Sequence, residues 1–399
     1  MIRLGVIGFG KMGRMHLKAA RFLRGASVEA VADSSRQALE AARRLGVRHL
    51  YEDYHDLLAS PGIDAVIITL PNFMHEEAII AAALAGKHVF VEKPLARSSE
   101  ECARIAEAVE KARVAAMVGH NYRCFPSVKR LKQEIDSGAL GDVVLSTLEI
   151  MGGPLIPSLE SHPVPDWYFD SRRVGLWLLD LGYHMIDLFR WLFDDAHVLH
   201  AYLDRRYGFP HEDNAVILLE SSSGVKGTVH VGWFSKLVFP SFDFRVILHG
   251  TAGFASTEQY TPANLKLYAA VEGAKNLLRR ATGRRIHPLS YTFYYPSYIE
   301  ELQQFVDSIE KGTPTPVTIE DGWEAVRIIE EVYRSATLSP ALAEPGASKE
   351  PKPVAQARED MPFSPFMVRQ AHHERDHNAA RPEPVEGQVG LSPKATERT

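Results

Sequence analysis

A glycine-rich turn close to the start of the chain limits the possible folds more than any other feature of the sequence. An apolar run at residues 2–7 precedes the turn, and an amphipathic stretch from Met12 to Leu23 follows it. The turn itself is Gly8-Phe9-Gly10-Lys11-Met12-Gly13. This order of strand, tight turn and helix, with glycines in the G-x-G-x-x-G spacing, is typical of the first unit of a doubly wound parallel sheet.

The same turn predicts a dinucleotide site. Gly8 permits the tight bend, Gly10 lets the backbone approach a pyrophosphate, and Gly13 lets the helix pack closely on the strand. The pyrophosphate would rest on the unpaired N–H groups of the helix N-terminus. Asp33 follows about 20 residues after Gly13, where a carboxylate accepts the ribose hydroxyl groups. Its charge favours NAD, whereas Arg36 and the two serines before it leave NADP open.

The pattern of apolar runs divides the chain into three parts. Up to about residue 122, short apolar strands alternate with helical stretches, as in a parallel sheet covered on both faces. Longer strands with turn-rich connections follow, which indicates a mostly antiparallel sheet with helices against it. We therefore expect an α/β protein with a Rossmann-type nucleotide domain at 1–122, an α+β substrate and oligomerisation domain at 123–339, and a tail at 340–399.

The tail has the composition of a disordered segment. It holds nine of the 24 prolines of the chain and contains no Ile, Trp or Tyr. Such a segment cannot bury enough apolar surface to offset the entropy lost on ordering. His372, His373 and His377 could bind a metal, but nothing in the sequence around them would fix a coordination geometry. We predict no metal site.

Composition and charge exclude several classes of function. A formal net charge of -5 disfavours nucleic acid as a partner. The first apolar run is too short for a secretory signal, and the most membrane-like stretch, residues 175–193, carries Asp180, His184, Asp187 and Arg190. Two cysteines in 399 residues fit a reducing compartment. We expect a cytoplasmic protein with no membrane partner.

Two short segments carry side chains suited to acid–base chemistry. Lys93 lies directly after an apolar strand, at the sheet edge where doubly wound folds bind ligands. Asp180 and His184 are four residues apart, so a helix would place them on one face, and Asp187 would extend that stripe by one turn. A surface lysine, a surface acid–histidine pair or a metal site would produce the same patterns.

Together with further segments, these features resemble the glucose-fructose oxidoreductase / inositol dehydrogenase (Gfo/Idh/MocA) family. The resemblance extends from Gly8 to about Ala336. Its matching segments include Leu70-Pro71-Asn72-Phe73-Met74-His75, Glu92-Lys93-Pro94, Gly119-His120-Asn121-Tyr122-Arg123, Asp180-Leu181-Gly182-Tyr183-His184, Glu212-Asp213-Asn214-Ala215 and Gly250-Thr251-Ala252-Gly253. The resemblance implies a nucleotide domain followed by a domain whose sheet covers the nicotinamide and often mediates oligomerisation.

The resemblance also implies a role for each matching residue. Lys93, Asp180 and His184 would be catalytic: His184 would accept the hydroxyl proton, Lys93 would stabilise the oxygen, and Asp180 would bind a hydroxyl or tune His184. The cofactor would contact Gly8, Phe9, Gly10, Lys11, Met12, Gly13, Asp33, Arg36, Leu70, Asn72, His75, Glu92, Lys93 and Asn121. Substrate candidates, besides Asp180 and His184, are Tyr122, Arg123 and Trp167.

One segment departs from the pattern of the family. Where relatives commonly carry consecutive glycines, this chain has Val174-Gly175-Leu176-Trp177. The bulky Leu176 and Trp177 would change the floor of the pocket, which leaves the particular sugar open. Trp167 belongs to an aromatic segment that could face a polyol or could equally pack in the interior.

The combined prediction is an oxidoreductase that binds NAD, with NADP as the alternative. It would transfer a hydride between the nicotinamide and a secondary alcohol or ketone of a sugar, cyclitol or related polyol. A glycoside hydrolase that retains NAD and a non-catalytic NAD-binding sensor remain alternatives. We also expect a homo-oligomer, a dimer or tetramer, formed through the C-terminal sheet, because the strand from Lys226 to Phe234 is apolar on both faces.

Overall fold

Two β-sheets organise the part of the chain that the structure describes. The computed structural model describes residues 1–152, 170–205, 211–233, 242–260, 265–283 and 294–338. These residues belong to one compact unit, Met1–Ser348. The predicted fold class, a parallel α/β sheet followed by a mostly antiparallel sheet, is confirmed. Trp167 and the tail at 340–399 lie outside the described residues.

The first sheet has six parallel strands in the order β3-β2-β1-β4-β5-β6. The strands are β1 Ile2–Ile7, β2 Ala26–Ala32, β3 His49–Tyr51, β4 Ala65–Ile68, β5 His88–Glu92 and β6 Ala116–Gly119. The helices between them are α1 Lys11–Ala20, α2 Arg36–Arg44, α3 Tyr54–Ala59, α4 His75–Leu84 and α5 Ser99–Ala112. The strand order reverses between β1 and β4, and such a reversal opens a ligand crevice at the carboxyl ends of the strands.

The second sheet has seven strands in the order β12-β11-β7-β10-β9-β8-β13. They are β7 Val143–Gly152, β8 Ala196–Asp204, β9 Asn214–Ser221, β10 Lys226–Trp233, β11 Phe242–Gly250, β12 Phe254–Ser256 and β13 Ala336–Leu338. Only the β7–β10 and β8–β13 pairs are parallel among these described strands. The segment Gly250–Gly253 is the turn between β11 and β12, because the Gly250 N–H donates to the Gly253 carbonyl at 2.8 Å.

The later helices tie the two sheets together. They are α6 Pro126–Asp136, α7 Ser171–Val174, α8 Gly182–Phe193, α9 Leu265–Ala281, α10 Tyr294–Lys311 and α11 Ile319–Ser335. Although α10 and α11 follow the second sheet in sequence, they pack on α1 and α5 of the first domain. The Ser99 hydroxyl, for example, donates to Glu330 of α11 at 2.7 Å. Consequently the chain closes back on its own nucleotide domain.

Candidate active site

The predicted site residues of the first domain follow the carboxyl ends of the parallel strands. Gly8 comes after β1, Asp33 after β2, Leu70 after β4, Lys93 after β5 and Asn121 after β6. Because parallel strands all end at the same edge of their sheet, these residues lie along one border of the crevice. For Asp33 and Lys93 the strand ends themselves predicted this edge, and the structure places both residues there.

The glycine turn has the space that a dinucleotide needs. Gly8 has φ +88, and a Cβ there would press against the backbone of Thr69. A Cβ at Gly13 would overlap the Gly8 carbonyl oxygen, whereas one at Gly10 would meet no described atom within 4 Å. The N-terminus of α1 receives no side-chain cap, so its N–H groups remain suited to an anion. The turn therefore fits a pyrophosphate.

Asp33 is fixed at the adenosine end of the crevice by backbone donors. Its Oδ2 accepts from the Phe9 N–H at 2.6 Å and its Oδ1 from the Ser35 N–H at 2.8 Å. Each carboxylate oxygen can accept more than one hydrogen bond, so ribose hydroxyls remain possible partners. The side chain of Phe9 itself is buried in the core, and Arg36 is exposed and pairs with Glu52. Phe9 thus orients Asp33 through its backbone.

Lys93 and Asp180 join the two domains at the crevice. The Lys93 ammonium donates to Asp180 Oδ1 at 2.7 Å and to the Asp180 carbonyl at 3.0 Å. Both side chains are partly covered. The peptide bond between Lys93 and Pro94 is cis. The structure therefore brings together two groups that are 87 residues apart in sequence.

The expectation that Asp180 and His184 share one helix is wrong. A single 3-10 turn at Trp177–Leu179 precedes Asp180, and α8 begins only at Gly182. Asp180 therefore lies in the entry to the helix, and its contact with Lys93 depends on that bend. The two residues are close in sequence and in space, but they do not share a helix face, because Asp180 lies in the bend before the helix. Trp177, expected to alter the pocket floor, is buried and stacks on His211 at 5.5 Å.

His184 is a buried imidazole within electrostatic range of Lys93. It is 8% exposed, and the ring of Tyr122 covers it at a centroid distance of 4.4 Å. Burial lowers the pKa of His184 well below its ordinary value, and the positive charge of Lys93 and the neighbouring His120 lower it further. Its Nδ1 has no hydrogen-bond partner among the described residues. His184 is consequently neutral near neutral pH and can accept a proton.

Asp187 does not extend a catalytic stripe, contrary to the expectation from sequence. Arg123 donates to both of its oxygens, through Nε at 2.8 Å and through Nη2. His120 Nδ1 lies 3.0 Å away, in a poor hydrogen-bond geometry. Burial alone would raise the pKa of Asp187, but the charges and hydrogen bonds of Arg123 and His120 together outweigh burial and hold it well below its usual range. The guanidinium of Arg123, which the family resemblance placed near the substrate, is therefore engaged inside the protein.

Two residues expected to bind the cofactor, His75 and Asn72, also connect loops around the crevice. His75 Nδ1 lies 2.8 Å from the Pro94 carbonyl and its Nε2 2.9 Å from the Leu70 carbonyl. Asn72 donates to the Val174 carbonyl at 2.7 Å and so links the first domain to the second. We therefore assign His75 a positioning role between the loops after β4 and β5. Its burial lowers its pKa and keeps the ring neutral.

Asn121 and Glu92 also direct their polar groups into the protein. The Asn121 amide donates to the Ser297 hydroxyl of α10 at 3.0 Å. Glu92 Oε1 lies 2.6 Å from His16 Nε2, and its Oε2 accepts from the Lys93 N–H at 3.2 Å. Both side chains are buried. The expectation of direct cofactor contacts from these two side chains is thus not supported by their hydrogen bonds.

Sequence reasoning missed a buried cluster behind Lys93. His16, Glu92 and Glu301 have ligand atoms within 4.8 Å of one another. Glu301 is 1% exposed, and neither of its carboxyl oxygens has a hydrogen-bond partner among the described residues. Burial and the charge of Glu92 raise the pKa of Glu301 well above its ordinary value. A signal was available, because Glu301 occupies a core position between Tyr298 and Leu302 in an amphipathic helix.

Comparison with known proteins identifies the family of this chain. Residues 2–120 match the group described as "Oxidoreductase family, NAD-binding Rossmann fold", and residues 128–256 match the "GFO/IDH/MocA C-terminal domain". The chain belongs to the GFO/IDH/MocA family. The resemblance inferred from the sequence is confirmed, and the family is one of oxidoreductases with an NAD-binding Rossmann domain.

Several relatives are similar to this chain over most of their length. A myo-inositol 2-dehydrogenase of Thermotoga maritima is 30% identical over 336 residues, which cover 80% of this chain and 92% of that protein. A scyllo-inositol 2-dehydrogenase (NAD(+)) of Bacillus subtilis is 29% identical over 79% of this chain and 89% of that protein. The crystal structure of a probable dehydrogenase from Thermotoga maritima has a TM-score of 0.68 at 26% identity, covering 84% of this chain and 97% of that one.

A further solved structure supports the fold alone. The scyllo-inositol dehydrogenase of Lactobacillus casei, solved with NAD(H) and scyllo-inositol, has a TM-score of 0.69 at 23% identity. The aligned residues cover 84% of this chain and 97% of that chain. The two chains therefore share one fold over the aligned residues.

Proposed function

We propose that this chain is an NAD-dependent dehydrogenase that oxidises a ring hydroxyl of a cyclitol such as an inositol, or reduces the corresponding ketone. The observation that carries the proposal is the convergence of Lys93, Asp180 and His184 at the carboxyl edge of a nucleotide-binding sheet. The inositol dehydrogenases among its relatives support the substrate class. No observation favours the hydrolase or the sensor.

The cofactor would be held by the glycine turn and Asp33. Backbone N–H groups after Gly10 would bind the pyrophosphate, and Asp33 would accept the ribose hydroxyls. When bound, NAD supplies the hydride acceptor for oxidation of the alcohol carbon. The negative charge of Asp33 disfavours a 2′-phosphate, which supports NAD over NADP.

Two side chains at the crevice would act on the proton and oxygen of the substrate hydroxyl. Neutral His184 would accept the proton of the substrate hydroxyl, because its lowered pKa keeps the imidazole unprotonated. The Lys93 ammonium would stabilise negative charge that develops on the same oxygen. Asp180 would hold that ammonium in place through the two contacts already described. Tyr122 would cover His184 and exclude water.

Self-association through the outer face of the second sheet is part of the proposal. Tyr202, Val216 and His230 lie side by side on β8, β9 and β10, and Leu145 is exposed on β7. Exposed apolar side chains on a sheet face are typical of an interface. The inner positions Val229 and Val231 belong to the core. The two free, buried cysteines agree with the cytoplasm as the compartment.

The direct test measures NADH absorbance while the protein is offered NAD with myo-inositol, scyllo-inositol and a panel of other polyols. We expect net NADH formation with at least one cyclitol. Cleavage of a glycoside by the protein with its cofactor retained, and without net formation of NADH, would identify the hydrolase instead. NAD binding with no turnover of any polyol would identify a sensor, and either result would end the proposal.

Substitution of the catalytic group tests the assigned roles. Lys93→Ala and His184→Ala should each lower kcat by roughly 10²–10⁴, the usual scale for acid–base residues, while the Kd for NAD changes less than about tenfold. The acid limb of the kcat profile should lie below about pH 6.5, because the pKa of His184 is lowered.

Exposed residues provide matched controls for these variants. His55→Ala on α3 and Lys111→Ala on α5 remove the same side-chain types from the surface and should leave kcat unchanged. An equal loss of NAD affinity and turnover in the Lys93 and His184 variants would show that both residues are structural.

A further inference from the structure

The helix α9 exposes its apolar side. With about 100° of rotation per residue, seven apolar residues fall within a sector of about 120°. We call this set the exposed stripe: Leu267, Ala270, Val271, Ala274, Leu277, Leu278 and Ala281, all of which are exposed. Val271 is 45%, Leu277 71% and Leu278 67% exposed. Several large apolar side chains on one face of one helix are more than the scattered exposure of an ordinary surface.

Glu272 and Arg279, opposite the stripe, are better covered than the stripe itself. Glu272 accepts from the Lys275 ammonium at 2.5 Å and from the Arg279 guanidinium at 3.1 Å. The side chains of Glu272 and Arg279 are only 17% and 25% exposed. A surface helix that packs on its own protein has the reverse arrangement, with apolar residues covered and charges in water. The orientation of α9 therefore presents an apolar surface outward.

The charge of α9 indicates what could cover that surface. The helix contains Lys266, Lys275, Arg279 and Arg280 against the single acid Glu272, in a chain whose formal net charge is -5. A second copy of α9 would bring an equal positive charge against the first and would be repelled. A cationic helix with an exposed apolar stripe is instead suited to a surface that is apolar inside and negatively charged outside.

We propose that α9 docks on an anionic lipid bilayer, lying flat with the exposed stripe at the acyl boundary and the exposed side chains of Lys275 and Arg280 among the lipid phosphates. Among the described residues, no helix is both long and apolar enough to cross a membrane, so α9 lies on the bilayer surface. This inference departs from the expectation of no membrane partner. It is independent of the proposed function, because none of the site residues named above belongs to α9.

Sedimentation with lipid vesicles tests the proposal on the full-length protein. Vesicles of phosphatidylcholine containing phosphatidylglycerol should sediment the protein at low salt, and vesicles of phosphatidylcholine alone should not. Leu277→Glu and Leu278→Glu should each weaken partitioning about tenfold or more, since each removes a large apolar contact and adds a negative charge. Arg280→Glu should weaken it several-fold, and added salt should reduce it.

The matched control is Leu84→Glu, which changes an equally exposed leucine, 78% exposed, at the end of α4. It should partition like the wild type. Cofactor binding by every variant, measured separately, shows that each is folded. Failure of the wild type to sediment with anionic vesicles, equal sedimentation with neutral vesicles, or unchanged partitioning of the leucine variants would each overturn the proposal. So would self-association of the wild type that Leu278→Glu abolishes, because the stripe would then be covered by a second copy.

Discussion

At the scale of single residues, burial decides how the titratable groups near the crevice can act. His184 and Glu301 are both buried, and burial favours the neutral form of each. For His184 this produces a proton acceptor. For Glu301 it produces a carboxylic acid that stays protonated beside the Glu92–His16 pair. Glu92 in turn accepts from the Lys93 backbone, so the cluster supports the loop that carries the lysine.

Glu301→Gln should raise the melting temperature by an amount that increases with pH. The unfolded carboxyl ionises above about pH 4.3, while the folded one keeps its proton because its pKa is raised. The folded wild type therefore binds more protons, and its stability falls as pH rises. Glutamine does not titrate and escapes this loss. Between pH 5.5 and 8.5 the advantage of the variant should grow by roughly 2 °C or more in calorimetry.

Glu300→Gln is the neighbouring control for this measurement. Glu300 lies on the same helix, is partly exposed and pairs with Lys129 at 2.7 Å. Its effect on the melting temperature should not grow in the same way between the two pH values. A constant difference for Glu301→Gln across the range would show that Glu301 is ionised in the folded protein.

At the scale of elements, the glycine turn and α1 contain one glycine that packing requires and another that ligand binding requires. Gly13 is needed because a Cβ would overlap the Gly8 carbonyl, whereas Gly10 faces open space. Glycine is therefore required at the two positions for different physical reasons, although both belong to one motif. A similar separation holds around α8, where Asp180 precedes the helix and reaches Lys93, while Asp187 lies within the helix and binds Arg123.

Alanine substitutions at the two glycines should affect different properties, stability in one case and NAD binding in the other. Gly13→Ala should destabilise the protein by roughly 1–3 kcal/mol or more, because the helix must move off the strand. Gly10→Ala should leave the melting temperature nearly unchanged and weaken NAD binding about tenfold or more, since the methyl group occupies the approach of the pyrophosphate. Calorimetry and NAD titration measure the two effects. Equal loss of stability in both variants would contradict the assignment of Gly10 to the ligand.

At the scale of the whole molecule, the crevice is completed by contacts between domains. Lys93 binds Asp180, Asn72 binds Val174, and the helices that follow the second sheet return to the first domain. Leu145, Tyr202 and Val216 of the second sheet are exposed, and none of them is a site residue. The proposed interface would therefore not use the side chains that form the site.

Val216→Glu tests that interface. A charge at this position, between Tyr202 and His230 on neighbouring strands, would be buried on association, and burying an unpaired charge is costly. We expect light scattering after size exclusion to shift from an oligomer to the monomer, with little change in NAD binding. Leu84→Glu on α4 serves as the control and should not dissociate the oligomer. A wild type that is monomeric at all concentrations would refute this part of the proposal.

The sequence by itself determined the fold class, the glycine turn, the acid at the end of β2 and the proximity of Lys93, Asp180 and His184. These features depend on short-range patterns or on segments that resemble a family. Short or weakly patterned elements escaped prediction, including β3, α3, β6 and β13, because a few residues carry too little periodicity and form only by pairing with an existing sheet.

Only the tertiary structure decided which polar side chains face the crevice. Arg123, Glu92 and Asn121 belong to segments that match the family, yet each is hydrogen-bonded inside the protein. Residues distant in sequence supply Asp187, His16 and Ser297 as their partners. The physical reason is that a buried polar group must find its partner wherever the fold places one, and the local sequence around the group does not contain that partner.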